Sequence, residues 1–207
     1  QFSSTVYHNL IEPGEVLLQK GVAGMYYYMG NSTFRKTGFT RLYYNNTDGQ
    51  NRAVLYYIVV YNNGNKRLYL NDLYDQLPQG FTFKRVTADA NMESLRGDLT
   101  ADTITTIGGT SLGNYPLVQL GVGSAVFRSA TVRAVNTDSG LCFNLSAGTG
   151  DYPLRYDSER EKYYLERNEA IVFGCVLDTN ASTQTQDSAT NIVAMPYDDY
   201  LDTGLNV

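Results

Sequence analysis

Three polar side chains lie at positions of predicted strands where apolar residues are expected. Lys20 shares one strand face with Leu18 and Val22, because successive side chains of a strand point to opposite sides. Asp75 and Asn191 lie in the same way among apolar residues of a middle and of the last predicted strand. An amine, a carboxyl group and an amide are each costly to bury alone, but together they could satisfy one another. Alternatively, the first strand lies at a sheet edge and Lys20 extends its amine into solvent.

The composition excludes several classes of protein. The 207 residues include 16 Lys+Arg and 21 Asp+Glu, which gives a formal net charge of −5. One His and two Cys cannot form a four-ligand zinc site without carboxylates. Scattered basic residues in an acidic chain argue against nucleic-acid binding, and no stretch approaches the roughly 20 apolar residues of a membrane helix. We therefore expect no metal or other cofactor, no nucleic-acid partner and no membrane insertion in this span.

Two short motifs match those of enzymes, but the rest of the sequence lacks the residues that each enzyme class requires. Residues 109–113 (GTSLG) match the nucleophile elbow of hydrolases, but the only histidine, His8, precedes the serine and the base of such enzymes follows it. Residues 121–126 (GVGSAV) carry half of a dinucleotide-binding fingerprint, without the third glycine or a following helix. The acidic stretch 198–202 lacks the spacing of a calcium loop. We expect that the protein is not a turnover enzyme.

Cys142 and Cys175 each lie in a predicted apolar strand. Two buried thiols or a disulfide both fit, since the outside of a cell is oxidising. Their spacing has no signature of a disulfide framework, which favours buried thiols.

The pattern of short strands separated by turn residues predicts an all-β fold, an Ig-like β-sandwich with an inserted loop and strand region. Residues 53–61 are apolar on both faces and predict a central strand, and residues 62–65 (NNGN) predict a hairpin turn after it. Residues 90–95 could form a helical turn, and 157–169 a loop or a short helix. The predicted strands are 14–22, 25–29, 40–44, 53–61, 67–74, 81–83, 103–107, 117–120, 125–135, 141–145, 170–177 and 190–195.

The ends of the sequence suggest one module of a longer protein. The chain begins with Gln1, lacks a secretion signal, and ends in a polar, acidic stretch. We expect a lead-in over 1–12, a single Ig-like module over 13–195 with an insertion at about 88–165, and a linker over 196–207.

Two segments resemble a known family. Residues 57–64 (YIVVYNNG) and 75–83 (DQLPQGFTF) are similar to the motifs of repeated Ig-like modules that build pilins and adhesin stalks on Gram-positive bacteria. The resemblance covers 54–83 closely and 13–22 and 186–195 in part, and it does not extend over 88–165. Phe81 stands where the family usually has Leu.

The resemblance implies roles for the three buried polar residues. In the members that resemble collagen-adhesin type A modules, a Lys and an Asn join in a spontaneous intramolecular isopeptide bond, assisted by a buried acid. Carried over to this sequence, Lys20 is the nucleophile, Asn191 the acyl donor and Asp75 the assisting acid. Asp72 is the rival for the acid, but it lies on the opposite face of its strand.

The reaction requires what such a cluster offers. A lysine attacks only as a neutral amine, and burial favours the neutral forms of both amines and carboxyl groups. A protonated carboxyl group can polarise the amide carbonyl, and the folded core holds the reacting groups together.

The resemblance therefore implies a secreted, cell-wall-attached structural module of an adhesin or pilus, whose partners are neighbouring modules. Alternatively, the insertion forms an adhesive surface that binds a host glycan or matrix protein through Tyr152, Tyr156, Tyr163 and Tyr164.

Overall fold

The computed structural model describes residues 2–6, 16–28, 34–36, 51–88, 101–109, 125–138, 140–179 and 189–196. These residues form fifteen β-strands, and none of them is helical. In chain order the strands are β1 (Phe2–Val6), β2 (Val16–Tyr28), β3 (Phe34–Lys36), β4 (Asn51–Asn62), β5 (Leu68–Tyr69), β6 (Leu73–Gln76), β7 (Phe81–Thr87), β8 (Thr103–Thr105), β9 (Val126–Phe127), β10 (Ala130–Thr137), β11 (Gly140–Ala147), β12 (Arg155–Asp157), β13 (Lys162–Leu165), β14 (Glu169–Thr179) and β15 (Ala189–Ala194).

The strands form two large sheets and a small one. Sheet A has the order β1-β15-β6-β11-β10-β8. Sheet B has the order β3-β2-β4-β14-β7, with β9 paired to β14, and sheet C has the order β12-β13-β5. The pairs β1–β15 and β9–β14 are parallel, whereas the other pairs of named strands are antiparallel.

The main core lies between sheets A and B. Phe143 of sheet A and Phe173 of sheet B meet there edge to face, with ring centroids 5.0 Å apart. Both rings are fully buried, as are Leu73 and Ile58 on the same two sheets. Two sheets that bury apolar faces against each other form a β-sandwich, so the predicted all-β sandwich is confirmed.

Strand β4 is central, as its sequence predicts. It pairs with β2 on one side and β14 on the other. Its even-numbered residues from Val54 to Val60 face the core between the sheets. Its odd-numbered residues are covered on the outside, where Val59 packs with Phe127 and Leu55 with Tyr26.

The first part of sheet B differs from the prediction of two strands at 14–22 and 25–29. A single strand, β2, runs through both segments with an irregularity between Val22 and Gly24. Glycines in this stretch make room for aromatic rings: a Cβ at Gly21 would lie 2.2 Å from the Tyr57 hydroxyl, and one at Gly24 would lie 2.7 Å from the Tyr26 ring. These glycines therefore accommodate side-chain packing within one strand and do not end it.

The prediction that residues 62–65 connect two paired strands of a hairpin is wrong. The turn is present, with the Gly64 amide donating to Asn62 Oδ1 at 2.9 Å. The side-chain nitrogen of Asn62, Nδ2, donates to the backbone oxygens of Lys66 and Leu165. These bonds direct the chain out of sheet B, and β5 pairs with β13 in sheet C instead of returning along β4.

The segment expected as an insertion, 88–165, contributes to all three sheets. It supplies β8, β10 and β11 to sheet A, β9 to sheet B, and β12 and β13 to sheet C. The stretch 157–169 holds the strand β13 between two turns, so the expected loop is present at 158–161 and 166–168, whereas the expected short helix is wrong.

Several predicted features lie outside the described residues. They are the strands at 40–44 and 117–120, the helical turn at 90–95, His8, most of the motifs at 109–113 and 121–126, and the acidic stretch 198–202. In the part of the chain that is described, no helix is long and apolar enough to cross a membrane.

Candidate functional site

Lys20 lies inside the sandwich. It sits on β2 opposite Ile58 of β4, whose side chain faces the core between the sheets. The Lys20 side chain has 0% exposed surface. The alternative in which Lys20 extends its amine into solvent is therefore wrong.

Asp75 binds the Lys20 amine from the opposite sheet. Lys20 Nζ donates to Asp75 Oδ2 at 2.5 Å, and the Asp75 side chain is also 0% exposed. Strand β6 holds Asp75 between Val193 of β15 and Leu141 of β11. The ion pair thus spans the gap between sheets A and B in the middle of the core.

Burial controls the protonation of Asp75. It raises the pKa of this carboxyl above its usual range, while the charge and the hydrogen bond of Lys20 oppose the rise. The Asp75 Oδ1 atom has no hydrogen-bond partner among the described residues. A carboxyl group in this setting takes up a proton more readily than one in water.

Asn191 lies beside Asp75 on the same face of sheet A. Val193 pairs with Asp75, and Asn191 is two residues before Val193 on β15, so its side chain projects to the same side. Diagonal neighbours of this kind lie roughly 7–8 Å apart in a sheet. Asn191 is fully buried, and neither Oδ1 nor Nδ2 of its amide has a hydrogen-bond partner in the described part of the chain.

Two further polar residues face the same gap, and sequence reasoning missed both. Tyr56 of β4 pairs with Val22 and with Cys175 of β14, so Tyr56 and Cys175 share the face of Lys20. The Tyr56 ring centroid lies 5.0 Å from Lys20 Nζ. Burial, followed by the charge of Asp75, raises the pKa values of the Tyr56 phenol and of the Cys175 thiol. Both groups therefore stay protonated at neutral pH.

Asp72, the rival for the acid, and two other lysines of the described residues have partners of their own. Asp72 accepts a hydrogen bond from Asn144 Nδ2 at 2.8 Å, away from the ion pair. Lys84 donates to Asp178 at 2.9 Å, and Lys162 donates to Asn71. The structure brings Asp75, and not Asp72, to the Lys20 amine.

Cys142 and Cys175 are both buried free thiols. The prediction of two buried thiols is therefore confirmed. They occupy different sheets, with Cys142 on β11 and Cys175 on β14.

Between the two sheets, the amine of Lys20, the carboxyl group of Asp75 and the amide of Asn191 are all buried from solvent. A proton that moves from Lys20 to Asp75 leaves a neutral amine and a carboxylic acid, which is the pair of forms that a low dielectric favours. The neutral amine is a nucleophile, and the carbonyl carbon of Asn191 is an electrophile that an acid can activate.

Comparisons with models of known protein families, with curated proteins and with solved structures gave no match to this chain.

Proposed function

We propose that this chain is a structural module of a Gram-positive cell-surface adhesin or pilus, locked by an intramolecular isopeptide bond between Lys20 and Asn191. One observation carries the proposal: the Lys20 amine contacts the Asp75 carboxyl at 2.5 Å with both side chains fully buried, next to an amide that has no partner among the described residues. Desolvation of a buried ion pair commonly costs more than its attraction returns. A reaction that converts the Lys20–Asp75 ion pair into neutral groups removes this desolvation cost, which explains why the pair lies in the core.

The bond would form in three steps. The Lys20 ammonium passes a proton to Asp75, and the resulting carboxylic acid donates to Asn191 Oδ1 and polarises the carbonyl. Lys20 Nζ then attacks Asn191 Cγ, so that the Nζ–Cγ bond forms. Finally the Cγ–Nδ2 bond breaks, and Nδ2 leaves as ammonia with one amine proton relayed through Asp75. The other amine proton remains on the new amide, and Asp75 keeps the proton that it received.

This reaction is a single maturation event. Lys20 and Asn191 are consumed, so the protein does not turn over a substrate. Proximity in the folded core replaces an enzyme, because folding holds the three groups as near-attack partners.

Intact mass measurement tests the bond. We expect the wild-type protein to be lighter than its sequence mass by one ammonia, and Lys20→Ala and Asn191→Ala to have their full sequence masses. Lys84→Ala is the matched control, because Lys84 also contacts a carboxylate, that of Asp178 at 2.9 Å. A wild-type protein at its full sequence mass would contradict the crosslink.

The link would join β2, the second strand in chain order, to β15, the last of the described strands. Tension along the polypeptide would then pass through the bond, so that the chain between residues 20 and 191 carries no load. Such a module suits an extracellular, cell-wall-attached stalk in cell adhesion, whose partners are neighbouring modules of the same polypeptide or pilus.

A second function, adhesion through the segment 88–165, is favoured by exposed tyrosines. Tyr152 and Tyr156 expose 51% and 52% of their surface, and tyrosine is enriched at recognition surfaces. Because this segment supplies half of sheet A, its deletion would destroy the fold. The double substitution Tyr152→Ala, Tyr156→Ala should instead abolish binding to a host glycan or matrix protein while the mass loss persists.

A further inference from the structure

The hydroxyl of Tyr56 is a fourth polar group in the gap, and the steps above leave it unused. Its ring packs 5.0 Å from Lys20 Nζ, and the whole residue is fully buried. The hydroxyl has no hydrogen-bond partner in the described part of the chain. A buried hydroxyl without a hydrogen-bond partner is unfavourable, so its presence in the core calls for an explanation.

The unpartnered groups on the two sheets are complementary. Tyr56 on sheet B carries a donor without an acceptor, and Asn191 on sheet A carries an acceptor, Oδ1, without a donor. Both flank the Lys20–Asp75 ion pair, which bridges the same gap. Burial and the charge of Asp75 raise the pKa of Tyr56, so its phenol keeps the proton that it would donate.

We propose that Tyr56 is a catalytic residue of the crosslinking reaction, and that its hydroxyl donates a hydrogen bond to Asn191 Oδ1 as negative charge develops there. The inference rests on the proposed function above. Asp75 supplies one donor to this oxygen and Tyr56 the second, as in an oxyanion hole. Tyr56 transfers no proton, so the proton balance of the reaction is unchanged.

The test measures the rate of ammonia loss during refolding. Protein from denatured inclusion bodies, in which the groups are not aligned, is refolded and its intact mass is followed with time. We expect Tyr56→Phe to lose ammonia about 100-fold more slowly than wild type, the effect typical of removing one oxyanion donor. Tyr57→Phe is the matched control: the same change at the next residue, on the opposite face of β4, should leave the rate unchanged.

A second measurement separates catalysis from folding. In the Lys20→Ala background, which cannot crosslink, Tyr56→Phe should leave the thermal midpoint unchanged or raise it, because it removes an unpartnered hydroxyl. A marked fall would assign Tyr56 a structural role and overturn the inference.

The failures of the two proposals are distinguishable. If wild type keeps its full mass, both the crosslink and the role of Tyr56 are overturned. If wild type loses ammonia and Tyr56→Phe loses it at the same rate, only the role of Tyr56 is overturned.

Discussion

Neither the Lys20 nor the Asp75 side chain has exposed surface, so burial and the contact with Lys20 together decide the protonation of Asp75. Burial raises the pKa of Asp75, and only the charge and the hydrogen bond of Lys20 pull it back. The same two influences that hold the ion pair together therefore oppose the proton transfer that the proposed reaction needs. In the proposed reaction, the balance between them decides how readily Asp75 takes up a proton.

Lys20→Ala should make the stability of the fold depend on Asp75 titration. Without Lys20, only burial acts on the carboxyl, so its folded-state pKa rises further above the unfolded value of about 3.9. The folded protein then binds the proton more tightly than the unfolded chain does. The contribution of Asp75 to the free energy of unfolding should be fully present below the unfolded pKa and should be lost as pH rises through the folded pKa.

Urea unfolding of Lys20→Ala at a series of pH values measures this dependence. The double variant Lys20→Ala, Asp75→Asn is the control, because its amide does not titrate and the fall should be absent. An equal fall in both variants would assign the dependence to other groups.

At the scale of strands, β6 positions the acid although it has only four residues. It lies between β15 and β11, and its neighbours fix where Asp75 projects. Gly140, the first residue of β11, lies against β6: a Cβ there would be 2.6 Å from the backbone oxygen of Asp75. Gly140 also has a φ of +135°, a conformation that side chains with a Cβ disfavour.

Gly140→Ala should therefore displace β6 and slow ammonia loss. We expect it to destabilise the fold by about 1–3 kcal/mol more than Gly150→Ala does, because the added methyl meets backbone that cannot rotate away. Gly150 is the matched control, since its φ is +91° but a Cβ there would meet no atom within 4 Å. Chemical denaturation and the refolding mass assay measure the two effects, and equal behaviour of both variants would contradict the role of the β11–β6 contact.

The alternation of side chains makes part of the cluster predictable from the sequence. It places Lys20, Asp75 and Asn191 on apolar faces, and it separates Asp75 from Asp72, because a period of two is a local property of each strand. The alternation does not identify Tyr56 and Cys175 as members of the cluster, because tyrosine and cysteine are common residues in buried strands. Their proximity to Lys20 depends on the order β2-β4-β14, which non-local pairing decides.

The same distinction between local patterns and non-local pairing explains why parts of the fold were predicted wrongly. The turn at 62–65 is recognisable from local residue types, but the destination of the chain after it is not. Hydrogen bonds from Asn62 to Lys66 and Leu165, the latter 103 residues away, direct β5 to sheet C. The glycines beneath Tyr57 and Tyr26 resemble a break between strands for a similar reason, since the rings that cover them belong to the packed structure.

At the scale of the whole molecule, a bond from residue 20 to residue 191 would close almost the entire module into one loop. Closing a loop of this length removes conformational entropy from the unfolded chain worth about 5 kcal/mol, by the loop-closure relation applied to disulfides. Unlike a disulfide, the bond would resist reducing agents.

Guanidinium unfolding of wild type and Asn191→Ala should show this difference. The variant lacks the bond but keeps the Lys20–Asp75 contact, so wild type should be more stable by about 5 kcal/mol, with or without reductant. The same change at an exposed position of sheet A, Asn136→Ala, is the control for substitution itself. Equal stability of wild type and Asn191→Ala, despite a measured ammonia loss in wild type, would contradict the loop-closure account.

The parallel pairing of β1 with β15 sets how the fold meets tension at its two ends. Phe2 lies opposite Ala189 and Val6 opposite Val193, so both strands run in the same direction. The chain enters β1 at one end of this pair and leaves β15 at the other. Pulling the two ends apart therefore slides the strands along each other and loads their hydrogen bonds together, in shear, instead of unzipping them in turn. The β1–β15 pair would therefore bear the load first, and the proposed Lys20–Asn191 bond would bear it once this pair separates.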